Sequence, residues 1–108
     1  MKRTLSFGQA ITELRRERGL NQRQLASEIK KEDGTSISQQ YLNDIENGRR
    51  SPAGDHLIEQ LAQALGTDPA FLAYVAGQMP LEIRDLAAEP ERLRLAIQAF
   101  KEALESNP

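Results

Sequence analysis

Cysteine is absent from the 108-residue chain, and with it go disulfides, zinc-finger ligands and thiol chemistry. That absence fits a reducing compartment. Tryptophan is absent too, and aromatic residues make up 5% of a chain that is 39% hydrophobic, so its core must be aliphatic, which suits a bundle of short helices. No stretch of useful length alternates in the manner of a strand. No apolar run approaches about 18 residues and no secretory leader is present, so a cytoplasmic chain with no membrane contact is expected. The single histidine, His56, has no Cys, Asp or Glu at metal-ligand spacing and reads as a polar helix residue. No metal, cofactor or catalytic residue is expected. A phosphate-binding glycine loop and a convincing carboxylate pair are both missing, which argues against an enzyme.

Positive charge is also scarce overall, since the formal net charge is -2. Its distribution is uneven. Residues 1 to 54 hold ten Lys and Arg against seven Asp and Glu, a balance of +3, whereas residues 55 to 108 hold four against nine, a balance of -5. A chain of this length makes one domain, or a small domain with an appendage. The basic half is the one that can approach a polyanion, and the acidic half is expected to point away from it.

Helix signals run through most of the chain. Ser6 caps a helix from Phe7 to Arg18 with Phe7, Ala10, Ile11 and Leu14 on one stripe and Gly19 at its end. Its Arg15, Arg16 and Arg18 form a basic edge, either solvated or turned toward a phosphate backbone. Asn21 and Gln24 have the spacing of a capping box, and Leu25, Ala26 and Ile29 turn inward behind them. Ser38 caps the next helix and Gly48 supplies its left-handed end. On that helix Tyr41, Leu42 and Ile45 share an inward arc of roughly 100°. Gln39, Gln40, Asn43 and Asn47 share the opposite one. All four of those carry amides, which donate and accept at once and match the N6 and N7 pair of an adenine edge. Gln39, Gln40 and Asn43 are therefore candidate base-reading residues.

Ile37-Ser38, Tyr41-Leu42, Ile45-Glu46 and Gly48-Arg49-Arg50-Ser51-Pro52 resemble the recognition helix and exit of the Cro/repressor-like (XRE) helix-turn-helix family. Upstream, Leu14-Arg15-Arg16-Glu17-Arg18-Gly19-Leu20-Asn21-Gln22 and Gln24-Leu25-Ala26 resemble the end of that family's first helix and the start of its second. With Leu57 to Gly66 included, the likeness covers about residues 7 to 66. It implies an all-α, five-helix lambda-repressor-like DNA-binding domain over residues 1–77, followed by one or two C-terminal helices in an extension over 78–108. It also implies double-stranded DNA as partner. Gln22, Tyr41, Asn47, Arg49 and Arg50 fall where the DNA backbone is expected, although Gln22 reads equally as a surface helix former. Glu46 matches a position whose carboxylate pairs within the bundle. Asp44 is awkward on such a face unless it accepts from a cytosine N4 amine. The chain departs from the family between Ile29 and Ile37: the usual link is one glycine, whereas Lys30 to Ser36 intervene here. We read this as an inert surface loop, with its lysines offset by Glu32 and Asp33, which leaves the tilt of the recognition helix open.

Beyond Ile45, Asp55 to Leu65 carries Leu57, Ile58, Leu61 and Leu65 inward. Asp68 caps and Pro69 opens a further helix bearing Phe71, Leu72 and Val75, which ends at Gly77. Pro80 can open a helix to about Ala88, and Pro90 another to about Glu105. On the last, Leu93, Ile97, Phe100 and Leu104 lie within about 60° of one another. That stripe packs on the fifth helix of its own chain, makes a homodimer contact, or does both. The leading expectation is a sequence-specific transcriptional repressor that binds a palindromic operator as a dimer. An antitoxin-like protein is the alternative, with a C-terminal half that neutralises a partner such as a toxin while the helix-turn-helix autoregulates; the stretch Phe71 to Pro80 also resembles a segment of XRE regulators, some of which are inactivated by a partner protease.

Overall fold

The structure, a computed structural model, describes residues 6–51, 54–86 and 89–106. Among them the chain forms seven helices and no strand: α1 (Phe7–Glu17), α2 (Gln22–Glu28), α3 (Gln39–Glu46), α4 (Gly54–Leu65), α5 (Pro69–Val75), α6 (Leu81–Arg84) and α7 (Pro90–Glu105). The fold is all-α. The Met1–Leu5 tail, Pro52 at the exit of α3 and the Ala88 boundary lie outside the described residues.

Four of the helices, α1, α2, α3 and α5, begin where side chains replace the missing backbone partners of a first turn. Ser6 Oγ accepts from Gln9 N–H and the Gln9 side chain returns to Ser6 N–H; Asn21 and Gln24 make the same reciprocal pair at α2. Ser38 caps α3 through Tyr41 N–H, and Asp68 caps α5 through Ala70 N–H with Pro69 behind it. The core is aliphatic, as the composition requires. Ile11, Leu25, Ile29, Leu42, Ile45, Leu61 and Leu72 are fully buried at its centre. Burial of such a side chain contributes about 1.5 to 3 kcal/mol, so these residues dominate the packing of α1 to α5.

Two crossings place the α3 surface. Gly8 on α1 lies against the C-terminal end of α3, so that a Cβ there would stand 2.7 Å from the Ile45 carbonyl oxygen and closer still to that of Glu46. Ala26, 3% exposed, lets α2 lie close to its neighbours. Between α2 and α3, the inserted segment closes on itself. Ile37 N–H donates to the Ile29 carbonyl (3.0 Å), Lys31 N–H to Thr35 (2.8 Å), and Lys30 pairs with Ser36 in an antiparallel bridge. The extra residues thus bulge outward from two buried isoleucines that stand side by side. The loop is also tied to α4: Lys30 N–H donates to Gln60 Oε1 (3.1 Å) and His56 Nε2 lies 2.8 Å from the Lys30 carbonyl. His56 is thereby a loop anchor as well as a polar helix residue.

On α5, Leu72 and Ala73 turn inward and Phe71 is 42% exposed. Two expectations need correction. The helix after Pro80 stops at Arg84, whose guanidinium folds back to the Met79 carbonyl (2.9 Å) and to Asp55 of α4 (2.6 Å). Arg15 lies on no solvated edge, for it is 8% exposed.

Candidate nucleic-acid interface

The surface of interest begins in the interior, at Glu46. Its Oε2 accepts from Arg15 Nε (2.8 Å), and its Oε1 from Arg15 Nη2 (3.0 Å) and Gln22 Nε2 (3.1 Å). Thr12 Oγ1 lies 3.0 Å from the same Oε1 and 2.9 Å from the Gly8 carbonyl, its one hydrogen serving either. Arg15 Nη1 donates to the Leu20 carbonyl at 2.9 Å. Burial pushes the Glu46 carboxyl up. The hydrogen bonds from Arg15, Gln22 and Thr12, with the Arg15 charge, outweigh that and hold it below the usual carboxylate range. The side chains of this ion pair are 10% and 4% exposed, so α1, α2 and α3 are clamped through one ionised group.

Outward from the clamp the amides continue in a chain. Gln22 Oε1 accepts from Asn43 Nδ2 (3.2 Å), and Asn43 Oδ1 accepts from Asn47 Nδ2 (3.1 Å) and Arg49 Nη2 (3.2 Å). Gln40 Nε2 donates to Asp44 Oδ1 at 2.9 Å, and Arg49 Nε stands 3.6 Å from the same oxygen. Gln39 and Gln40 are exposed, whereas Asn43 is half-buried between α2 and α3. The end of α3 is a tight left-handed turn: Gly48 has φ +74, Gly48 N–H donates to Ile45 and Arg49 N–H to Asp44 (2.8 Å). That turn brings Arg49 back over the helix it has left. Arg50 lies 4.7 Å above the Tyr41 ring, a cation–π contact that holds its guanidinium beside α3.

Every DNA-contact candidate from the sequence is thus on or next to α3, whereas Leu93, Ile97, Phe100 and Leu104 lie on α7. Gln39, Gln40, Tyr41 and Asn43 lie along α3, Gln22 meets it from α2, Asn47 caps its end, and Arg49 and Arg50 fold back onto it. The Lys30 ammonium, by contrast, is spent on the Ser27 carbonyl (3.1 Å) and Ser36 Oγ (2.9 Å). Sequence reasoning misses Arg15 and Thr12 in the clamp, although Arg15 follows Ile11 by one helical turn and so falls on the buried stripe.

An exposed helix face of amides with guanidinium groups at its end, held on a second helix across a turn, defines a helix-turn-helix protein. Residues 6–74 match the model of the helix-turn-helix domain family, and the chain belongs to that family as an XRE-like DNA-binding transcription regulator. It is 39% identical over 77 residues to y4dJ, an uncharacterized HTH-type transcriptional regulator of Sinorhizobium fredii (strain NBRC 101917 / NGR234); the matched part is 71% of this chain and 91% of that relative. No solved structure matches it.

Proposed function

We propose that the chain is a repressor that reads a palindromic operator as a dimer, with residues 1–77 on the DNA and residues 78–108 holding the two copies together. The observation that carries this reading is the division of labour at α3: amides on the helix itself, guanidinium groups on the turn that leaves it. Gln39, Gln40 and Asn43 read base edges in the major groove, where amide side chains match adenine. Gln22, Tyr41, Asn47, Arg49 and Arg50 meet sugar and phosphate, where a fixed-charge fork suits an anion. No catalytic step is involved.

The two groups are expected to fail differently. Gln40→Ala loses about 1 to 3 kcal/mol on the cognate operator and relaxes preference at one base pair, whereas Arg49→Ala weakens binding to all DNA and lowers the salt slope by about 1. Footprinting and titration on the DNA upstream of the chain's own gene, against random duplex, measure both. Equal losses on operator and random DNA for Gln40→Ala would remove it from the reading surface.

A further inference from the structure

Asp44 places a carboxylate on a face that meets a polyanion, which weakens attraction to phosphate. Its side chain is 25% exposed and is engaged on both sides, by Gln40 one turn earlier and by Arg49 beyond the helix. A carboxylate only accepts, so the Gln40 amide has to turn its NH2 toward Asp44 and its Oε1 away. Gln40 Oε1 has no partner among the described residues, and one N–H beside it is uncommitted. An acceptor and a donor side by side complement adenine, which offers an N6–H donor and an N7 acceptor. They do not complement guanine, whose N7 and O6 both accept.

We infer that Asp44 is a positioning residue for base recognition: it fixes the orientation of the Gln40 amide, so that Gln40 prefers adenine at one base pair, at some loss of general attraction to DNA. Asn43 is set differently by the same network. Its Oδ1 already accepts from Asn47 and Arg49 and one of its N–H groups serves Gln22, which leaves a single N–H to offer. Gln39 is exposed with no hydrogen-bond partner among the described residues to orient it, so of the three amides Gln40 is the one that keeps a free donor beside a free acceptor in an orientation fixed by a neighbour, and Asp44 is what fixes it. An amide without that anchor turns over freely and donates equally to a guanine N7 or O6, so its preference relaxes.

The inference rests on the proposed role of Gln40, and the experiment separates the two. The full chain is put through binding-site selection from random duplex DNA as wild type, Gln40→Ala, Asp44→Ala, Asp44→Asn and the Gln40→Ala, Asp44→Ala double variant. Alanine is the strongest helix former and Asp44 supplies no core contact, so the fold survives the change. Gln40→Ala erases an adenine preference at one base pair. Asp44→Ala reduces that same preference from roughly ten-fold to about two-fold while affinity for unselected DNA rises. Asp44→Asn, whose amide can accept from Gln40 or donate to it and so no longer forces one orientation, keeps only part of the preference and shares the rise. The double variant matches Gln40→Ala in its base preferences. If Asp44→Ala leaves the Gln40 base pair unchanged, or alters a different one as a direct cytosine contact would, the inference is overturned and the role of Gln40 stands. If Gln40→Ala changes no preference, or the wild type selects no sequence, both fall.

Discussion

At Gly8 one missing carbon sets the approach of two helices. The atoms a Cβ would strike are the backbone oxygens of Ile45 and Glu46, which cannot rotate away. Gly8→Ala is expected to incur the upper part of the about 1 to 3 kcal/mol that overpacking costs, which exceeds the roughly 1 kcal/mol that alanine gains over glycine in a helix. Urea unfolding checks this: the midpoint falls, with unchanged slope, and a midpoint at or above wild type would show that α1 can retreat. Glu46 carries a pH signature. Its folded-state pKa is depressed, so its contribution is complete above about pH 4.3, where the unfolded chain is also ionised. As pH falls the unfolded chain takes the proton first, and the contribution disappears as pH passes down through the lowered folded value. Glu46→Gln should be less stable than wild type at pH 7, by up to about 3 to 5 kcal/mol if Arg15 is left uncompensated, and should lose less on acidification. Parallel losses for both proteins between pH 5 and 3 would deny the pair any linkage to protons. The need for a paired Glu46 was legible from the family likeness, but its partner was not. Arg15 and Gly8 owe their roles to a helix some thirty residues away, and a basic or small residue in a row of helix formers carries only the faint sign of sharing the stripe of Ile11.

Helix ends were the most legible elements, because a cap involves residues three apart in sequence. Ser6, Asn21, Ser38 and Asp68 each bind the backbone their spacing predicted. Elements whose length depends on tertiary partners were less so. Nothing local in the residues after Pro80 announces that Arg84 will turn back to Asp55, and the apolar residues of α5 alone do not say that Leu72 is buried and Phe71 left exposed. The inserted loop falls between these cases: its turn residues were readable, but its closure was not. Because Ile37 N–H meets the Ile29 carbonyl, the gap it spans is one that a single residue can bridge. Replacing residues 30–36 by one glycine should then leave α2 and α3 where they are. Loop-closure entropy changes by about 0.6 kcal/mol per halving of length, so the shortening gains an amount comparable to the loss of the Gln60 and His56 anchors and the two roughly cancel. The shortened chain is expected to fold and to select the same DNA sequence as wild type. A folded variant that selects a different one would show that the loop governs the docking of α3.

Over the whole molecule, charge and apolar surface are segregated. The α3 surface belongs to the half with a +3 balance, while α7 belongs to the half at -5 and is exposed along all its described length. Phe100 touches its own chain, edge to face with Tyr74 at 5.7 Å, yet remains 51% exposed; Leu93, Ile97 and Leu104 are 48%, 42% and 60% exposed beside it. Intrachain packing therefore leaves most of the stripe uncovered, and Phe71 and Tyr74 on α5 extend the apolar surface. The second copy proposed above would cover this surface. One recognition helix spans a few base pairs, whereas two held about 34 Å apart span both halves of a palindrome. Burying the four α7 side chains contributes about 1.5 to 3 kcal/mol each as an upper bound, enough for a dimer of weak to moderate affinity once ordering costs are subtracted. Phe100→Asp, or truncation after Ala88, is expected to keep the helical content of α1 to α5, to sediment as a monomer, and to bind a full operator no better than an isolated half-site. An intact chain that sediments as a monomer at tens of micromolar, or a truncated chain that stays dimeric, would move the stripe from self-association to capture of a different protein or to packing within one chain.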